Sequence, residues 1–200
     1  MKLFVDSVDP DEIGACVASA GTTGVAARAT LLVEAAGRAG HAPADLLRAI
    51  CAVANGPVCV ELAAPADDRE ALLTEARGWA AVAASVVVRL PGTDAGMEAV
   101  RACVAAGIRT AIGGCRSPEQ ALAAVRAGAS QVWAPPDQLR KLVALLRTYD
   151  AAAQVIAAPL NRPTEVIDAG VWSADVAVAT AAVLRGLPAE SVRHAETGRR

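Results

Sequence analysis

Three ionisable side chains close apolar runs of this 200-residue chain, and they are its first candidates for chemistry. Asp6 ends the run 2–6, Glu61 lies near the end of 57–62, and Arg89 near the end of 85–90. A carboxyl group can take or give a proton. A guanidinium stays charged and offers a planar fork to a carboxylate, a phosphate or a developing enolate. Together they could run acid–base chemistry around an electrostatic anchor. A plainer account also fits: Arg89 neutralises two enclosed acids, because an unpaired buried charge is costly.

Arg28, Arg116 and Arg162 follow other apolar runs and are candidate ligand contacts. The stretch Gly113-Gly114-Cys115-Arg116-Ser117 leads into a helix start. Such a start suits an anion, although a tight turn with a serine cap explains it as well. Cys115 would need an activating base, and no histidine lies in the matching runs. Trp133, at the end of another run, either walls a pocket or fills space.

Some chemistries are disfavoured. The only lysines are Lys2 and Lys141, so an amine nucleophile has two candidates. Lys2 opens the first run and Lys141 lies in a helical stretch. His41 and His194 have no metal-ligand spacing to a cysteine, so zinc is not expected. The five cysteines include no CxxC pair, and an odd count argues against a disulfide framework. No cofactor is expected. A net charge of −2 without a basic block, apart from Arg199-Arg200, argues against nucleic acid. No apolar run suits a bilayer, and Asp6 interrupts the opening as no signal peptide would. A cytoplasmic protein is expected.

The elements that must position these residues alternate regularly. Apolar runs at 2–6, 23–27, 57–62, 85–90, 109–113, 130–134, 154–158 and 175–179 read as strands. Helical patterns at 44–54, 68–82, 94–105, 118–127 and 138–149 lie between them. Asp9, Pro10 and Glu12 form a capped helix start, and Ile13, Cys16 and Val17 give its apolar stripe. With aromatics at 2%, Ala, Val and Leu must fill the core. Eight strands separated by helices imply parallel pairing with right-handed crossovers. A closed eight-stranded barrel and an open doubly wound sheet both satisfy this α/β order. A dinucleotide-binding reading lacks its glycine fingerprint, since Asp6-Ser7-Val8-Asp9-Pro10 follows the first strand. No linker or low-complexity tract divides the chain, so a single domain over 1–200 is expected.

Lys2-Leu3-Phe4-Val5-Asp6 resembles the KLFIDTA opening of the short transaldolases and fructose-6-phosphate aldolases. Gly56-Pro57-Val58-Cys59-Val60-Glu61 is similar to their GPVSAEV strand, and Val86-Val87-Val88-Arg89-Leu90-Pro91 to their VVVKIP strand. Ala105-Ala106-Gly107-Ile108-Arg109-Thr110 resembles AEGIKTN, residues 120–129 resemble QALLAAKAGA, and Ala174-Asp175-Val176-Ala177 resembles ADVAT. The likeness runs in order along nearly the whole chain.

That resemblance implies a (β/α)8 barrel and, in the family, a strand-4 lysine that forms a Schiff base. It also implies a strand-1 aspartate, matched by Asp6, and a strand-3 acid or amide, matched by Glu61. Arg89 stands where the lysine belongs, and Arg28 where the family has Asn. Residues 133–138 lack the Ser and Arg of the family's SPFVGR segment, and Arg162 falls one place late. A guanidinium cannot form an imine. Ordinary transaldolase activity is therefore not expected. Two readings remain: an imine-free carbon-skeleton step on a small polar or anionic metabolite, or a non-catalytic protein that binds a ligand or a protein partner. A homo-oligomer is implied by the resemblance alone.

Overall fold

The computed structural model describes residues 1–115 and 117–187. Arg116, His194 and Arg199-Arg200 lie outside the described residues. Eight parallel strands close into a barrel in sequence order. They are β1 Lys2–Asp6, β2 Val25–Arg28, β3 Val58–Glu61, β4 Val86–Pro91, β5 Thr110–Gly113, β6 Gln131–Ala134, β7 Gln154–Leu160 and β8 Val176–Ala179. β1 pairs with β8 over Lys2–Val5, which closes the ring. This decides between the two arrangements that the alternation of elements allows.

Helices cover the outside. They are α1 Pro10–Ala20, α2 Ala29–Ala39, α3 Pro43–Val53, α4 Arg69–Ala80, α5 Asp94–Ala105, α6 Pro118–Arg126, α7 Pro136–Thr148, α8 Pro163–Val171 and α9 Ala181–Arg185. None is long and apolar enough to cross a membrane. Their starts follow local chemistry. Asp9 caps α1 by accepting from Asp11 N at 2.9 Å, with Pro10 at the first helical position. Ile13, Cys16 and Ala20 are buried on its inner face, and Gly21 ends it at φ 60. A left-handed φ of this kind is what glycine supplies at a helix end. Glu12 does not reach back to the cap backbone. It accepts from Ser7 Oγ at 2.7 Å, and Asp9 N donates to Ser7 Oγ at 3.1 Å.

Several boundaries differ from the sequence expectation. β2 starts two residues late and takes in Arg28, while β7 runs on to Leu160. α7 starts at Pro136. The link between β2 and β3 holds two helices, of which α2 is not among the expected ones. Its Leu31-Leu32-Val33 is a contiguous apolar triplet, and short apolar runs do not separate helix from strand by periodicity.

The core has two compartments. The larger lies between strands and helices and is built from Leu, Val, Ile and Ala, including Ile13, Leu32, Leu47, Leu72, Leu142 and Leu146. The smaller fills the barrel itself: Phe4, Ala26, Cys59, Val87, Ala111, Trp133, Ile156, Val176 and Val178. Phe4 takes its place because Gly24 has no side chain, since a Cβ there would meet the ring at 2.5 Å. Among these side chains runs a buried polar chain. Cys59 Sγ donates to Gln131 Oε1 at 3.2 Å, and Gln131 Nε2 to Gln154 Oε1 at 3.4 Å. Burial pushes the Cys59 thiol up to about 12, so it is a packed, protonated group.

Candidate active site

Side chains alternate in and out along a strand. The inward residues of β1–β4 include Phe4, Ala26, Cys59 and Val87. Two residues on, at the C-terminal ends, the same face carries Asp6, Arg28, Glu61 and Arg89. Four consecutive strands thus present carboxyl, guanidinium, carboxyl and guanidinium groups at the mouth where barrels of this kind place their chemistry. Strand register sets them side by side: Arg28 opposes Glu61, and Glu61 opposes Arg89. Asp6 opposes Ala26, one step below Arg28.

Arg89 is the centre of the group. Its Nη2 lies 2.5 Å from Glu61 Oε2. Its guanidinium carbon stands 4.1 Å from the centroid of the Trp133 ring, a cation–π stack. To reach from β4 to β6 the side chain must cross β5, and Gly113 leaves that crossing open. A Cβ at Gly113 would meet Arg89 Cδ at 3.3 Å and Cγ at 3.4 Å. The Arg89 side chain is 17% exposed and that of Glu61 45%, so Glu61 offers the more accessible face of the pair.

Asp6 makes no ion pair among the described residues. Burial raises its pKa above the ordinary carboxyl value. Arg28 and Arg89 pull it down less strongly, and Glu61 adds to the rise. A carboxyl group in that setting holds its proton into milder acid than a free one, as suits an acid–base group. Arg28 is exposed and makes no ion pair among the described residues. It also precedes the first turn of α2 without a side-chain cap.

The other candidates fare differently. Trp133 is inside the barrel beneath Arg89, and its Nε1 has no hydrogen-bond partner among the described residues. Cys115 is not brought to the mouth. It is fully buried in the outer core, and burial raises its thiol to about 11. Arg162 sits at the start of α8, 72% exposed, with Nη2 2.7 Å from Glu165 Oε1. Its charge is answered locally. Lys2 opens β1 at the opposite end of the barrel from Asp6, and Lys141 lies on α7. No cluster of His, Cys, Asp or Glu among the described residues could hold a metal ion.

Sequence reasoning missed the supports of this rim. Glu75, on α4, accepts from Ala63 N at 3.0 Å, Ala64 N at 2.7 Å and Trp79 Nε1 at 3.0 Å. It thereby pins the chain two residues after Glu61. Thr93 Oγ1 caps α5 by accepting from Gly96 N at 3.1 Å, and it donates to Ala66 O across the gap between two loops. Leu62 N donates to Arg89 O at 3.2 Å. Only the i, i+4 spacing of Glu75 and Trp79 hinted at any of this.

A closed parallel barrel with its ionisable residues at the C-terminal mouth defines the (β/α)8 class. Within it, the description "Transaldolase/Fructose-6-phosphate aldolase" matches residues 3–162. A probable transaldolase from Thermus thermophilus is 34% identical over 203 residues, covering 94% of this chain and 90% of that protein. A probable transaldolase from Caulobacter sp. strain K31 is 32% identical over 187 residues, covering 88% and 83%. One from Myxococcus xanthus is 32% identical over 190 residues, covering 88% and 82%. The chain belongs to the transaldolase/fructose-6-phosphate aldolase family.

Proposed function

We propose that this protein is a transaldolase-family barrel that works without an imine. It carries out a lyase, aldol, dehydration or cyclisation step on a small polar or anionic metabolite. The observation that carries this reading is Arg89 itself, at the position where the family resemblance places the Schiff-base lysine. It is held between Glu61 and Trp133, with Asp6 unpaired nearby. A fixed guanidinium in a half-enclosed site stabilises charge that develops on a substrate oxygen. Asp6, with its raised proton affinity, supplies or takes the proton, and Glu61 is the second carboxylate in reach. The partner in this reading is a small molecule, neither nucleic acid nor membrane. Assembly as a homo-oligomer in the cytoplasm belongs to the same reading.

The other reading, a binding protein without catalysis, is favoured by one observation. Arg89 already has a carboxylate partner and a ring to stack on, so its charge is satisfied without ligand.

One experiment separates them. The protein is incubated in deuterium oxide with dihydroxyacetone, and separately with 2-oxo acids. Deuterium uptake beside the carbonyl is followed by NMR, and parallel samples receive borohydride. Imine-free catalysis gives exchange that Arg89→Met and Asp6→Asn abolish, with no reduced adduct. An adduct on Lys2 or Lys141 overturns the proposal. No exchange with any compound favours the binding protein.

A further inference from the structure

The inward side of β5 is bare. Side chains alternate along a strand, so its inward residues are Ala111 and Gly113. β5 lies between β4 and β6, and nothing larger than a methyl group on it stands between Arg89 and Trp133. The guanidinium therefore lies over the Trp133 ring, which is 3% exposed and packed in the barrel core. A cation held over a ring still has N–H donors to offer sideways, and here Nη2 meets Glu61 Oε2 at 2.5 Å.

We propose that Trp133 is a positioning residue: its ring holds the Arg89 guanidinium at Glu61 and so keeps Arg89 from pairing with Asp6. The use of that separation rests on the reading of Asp6 as the acid–base group of the mouth, but the separation itself does not depend on catalysis.

Asp6 stands on β1 among charges of both signs. Arg28 acts on it from β2, Glu61 from β3 and Arg89 from β4, while β8 brings only Val176–Ala179 beside it. On its own loop, Glu12 is taken up with Ser7 Oγ. Two cations are thus close enough to act on Asp6, yet neither pairs with it among the described residues. Burial keeps its proton affinity high, and Arg28 and Arg89 lower it less strongly. A guanidinium in contact with a carboxylate favours the charged form more than one that stands off. The Arg89–Glu61 pair alone is a weak tether, since the Glu61 side chain is 45% exposed and ion pairs open to water hold their partners loosely. The buried ring gives the second fixed point. Without it, the long Arg89 stem lets the cation trade Glu61 for Asp6, which then gives up its proton more readily.

The test is carbon NMR titration of the full chain, labelled at its aspartate carboxyl carbons, from acid to neutral pH. Asp6→Asn identifies the Asp6 signal. Trp133→Leu should weaken proton binding at Asp6 by about tenfold or more, and Trp133→Phe, which keeps a ring, should stay nearer the parent. Water let in by the smaller side chain would also weaken it, with or without Arg89. The effect proposed needs the cation, so Trp133→Leu made in an Arg89→Met background should leave Asp6 unchanged within about twofold. Gly113→Ala keeps the ring and crowds the Arg89 stem instead, its Cβ 3.3 Å from Arg89 Cδ. It should move Asp6 in the same direction as Trp133→Leu, and it carries the test alone if the leucine variant does not fold. The inference is overturned if Trp133→Leu or Gly113→Ala leaves Asp6 titrating as in the parent. It is also overturned if the leucine change is equal in both backgrounds. These titrations read no turnover, so a protein that fails the deuterium assay can still meet them.

Discussion

The guanidinium of Arg89 stacks on the ring of Trp133, with 4.1 Å between its central carbon and the ring centroid. The stack joins β4 to β6 across the barrel and fixes a cation that would otherwise sweep the mouth. Trp133→Ala removes both the stack and a buried ring. Large-to-small changes of this kind cost about 3–5 kcal/mol. Chemical denaturation should show that loss, and Trp133→Phe should recover most of it.

Gly113→Ala tests the crossing. The glycine has no left-handed φ, so the backbone accepts alanine, but the new Cβ lies 3.3 Å from Arg89 Cδ. The side chain must give way, at a cost of about 1 kcal/mol. Fluorescence should report a changed Trp133 environment while the far-UV spectrum stays that of the parent.

Asp6 titrates against folding. Its carboxyl pKa is raised in the fold, so between the unfolded value and the raised one the folded state holds more protons. Stability therefore falls as pH rises through that window, and the penalty persists above it. Asp6→Asn should flatten this slope and raise the melting temperature at neutral pH. Calorimetric melting of both proteins across mildly acidic to neutral pH checks the sign.

Arg89→Lys asks whether the mouth still fits the family's chemistry. A lysine there gains an amine, yet Arg28 stands where the family resemblance places Asn, and residues 133–138 lack the family's Ser and Arg. Little aldolase activity should return, on the order of a hundredfold or more below an ordinary class I enzyme. Turnover of fructose 6-phosphate together with borohydride trapping measures it. Strong activity would mean that the single exchange carries the change of chemistry.

Glu75→Ala withdraws the acceptor for Ala63 N, Ala64 N and Trp79 Nε1. Losing these bonds at a half-buried loop should cost about 1–3 kcal/mol. Chemical denaturation measures that cost, and amide exchange should show earlier loss of protection at Ala63 and Ala64.

The barrel is readable because its strands are short β-branched runs set between capped helices. Asp9-Pro10 and Ser117-Pro118 mark helix starts that the structure confirms. α2 is harder to read, because half-buried Leu31 and exposed Val33 flank Leu32 and blur the spacing of its buried face, Ala29, Leu32 and Ala36. The charged residues of the mouth are visible as strand ends, but their pairing is not. That Arg89 takes Glu61 and leaves Asp6 alone depends on register and on the space at Gly113. Cys115 reads as a mouth residue because it follows β5 closely, yet its side chain turns into the outer core.

Thr93 ties two loops together while Glu75 staples one of them to the helix behind it. The segments after β3 and β4 are therefore one mechanical piece. Breathing of the rim there should be all-or-none, and a ligand that steadies Glu61 should slow amide exchange beyond Arg89 without touching it.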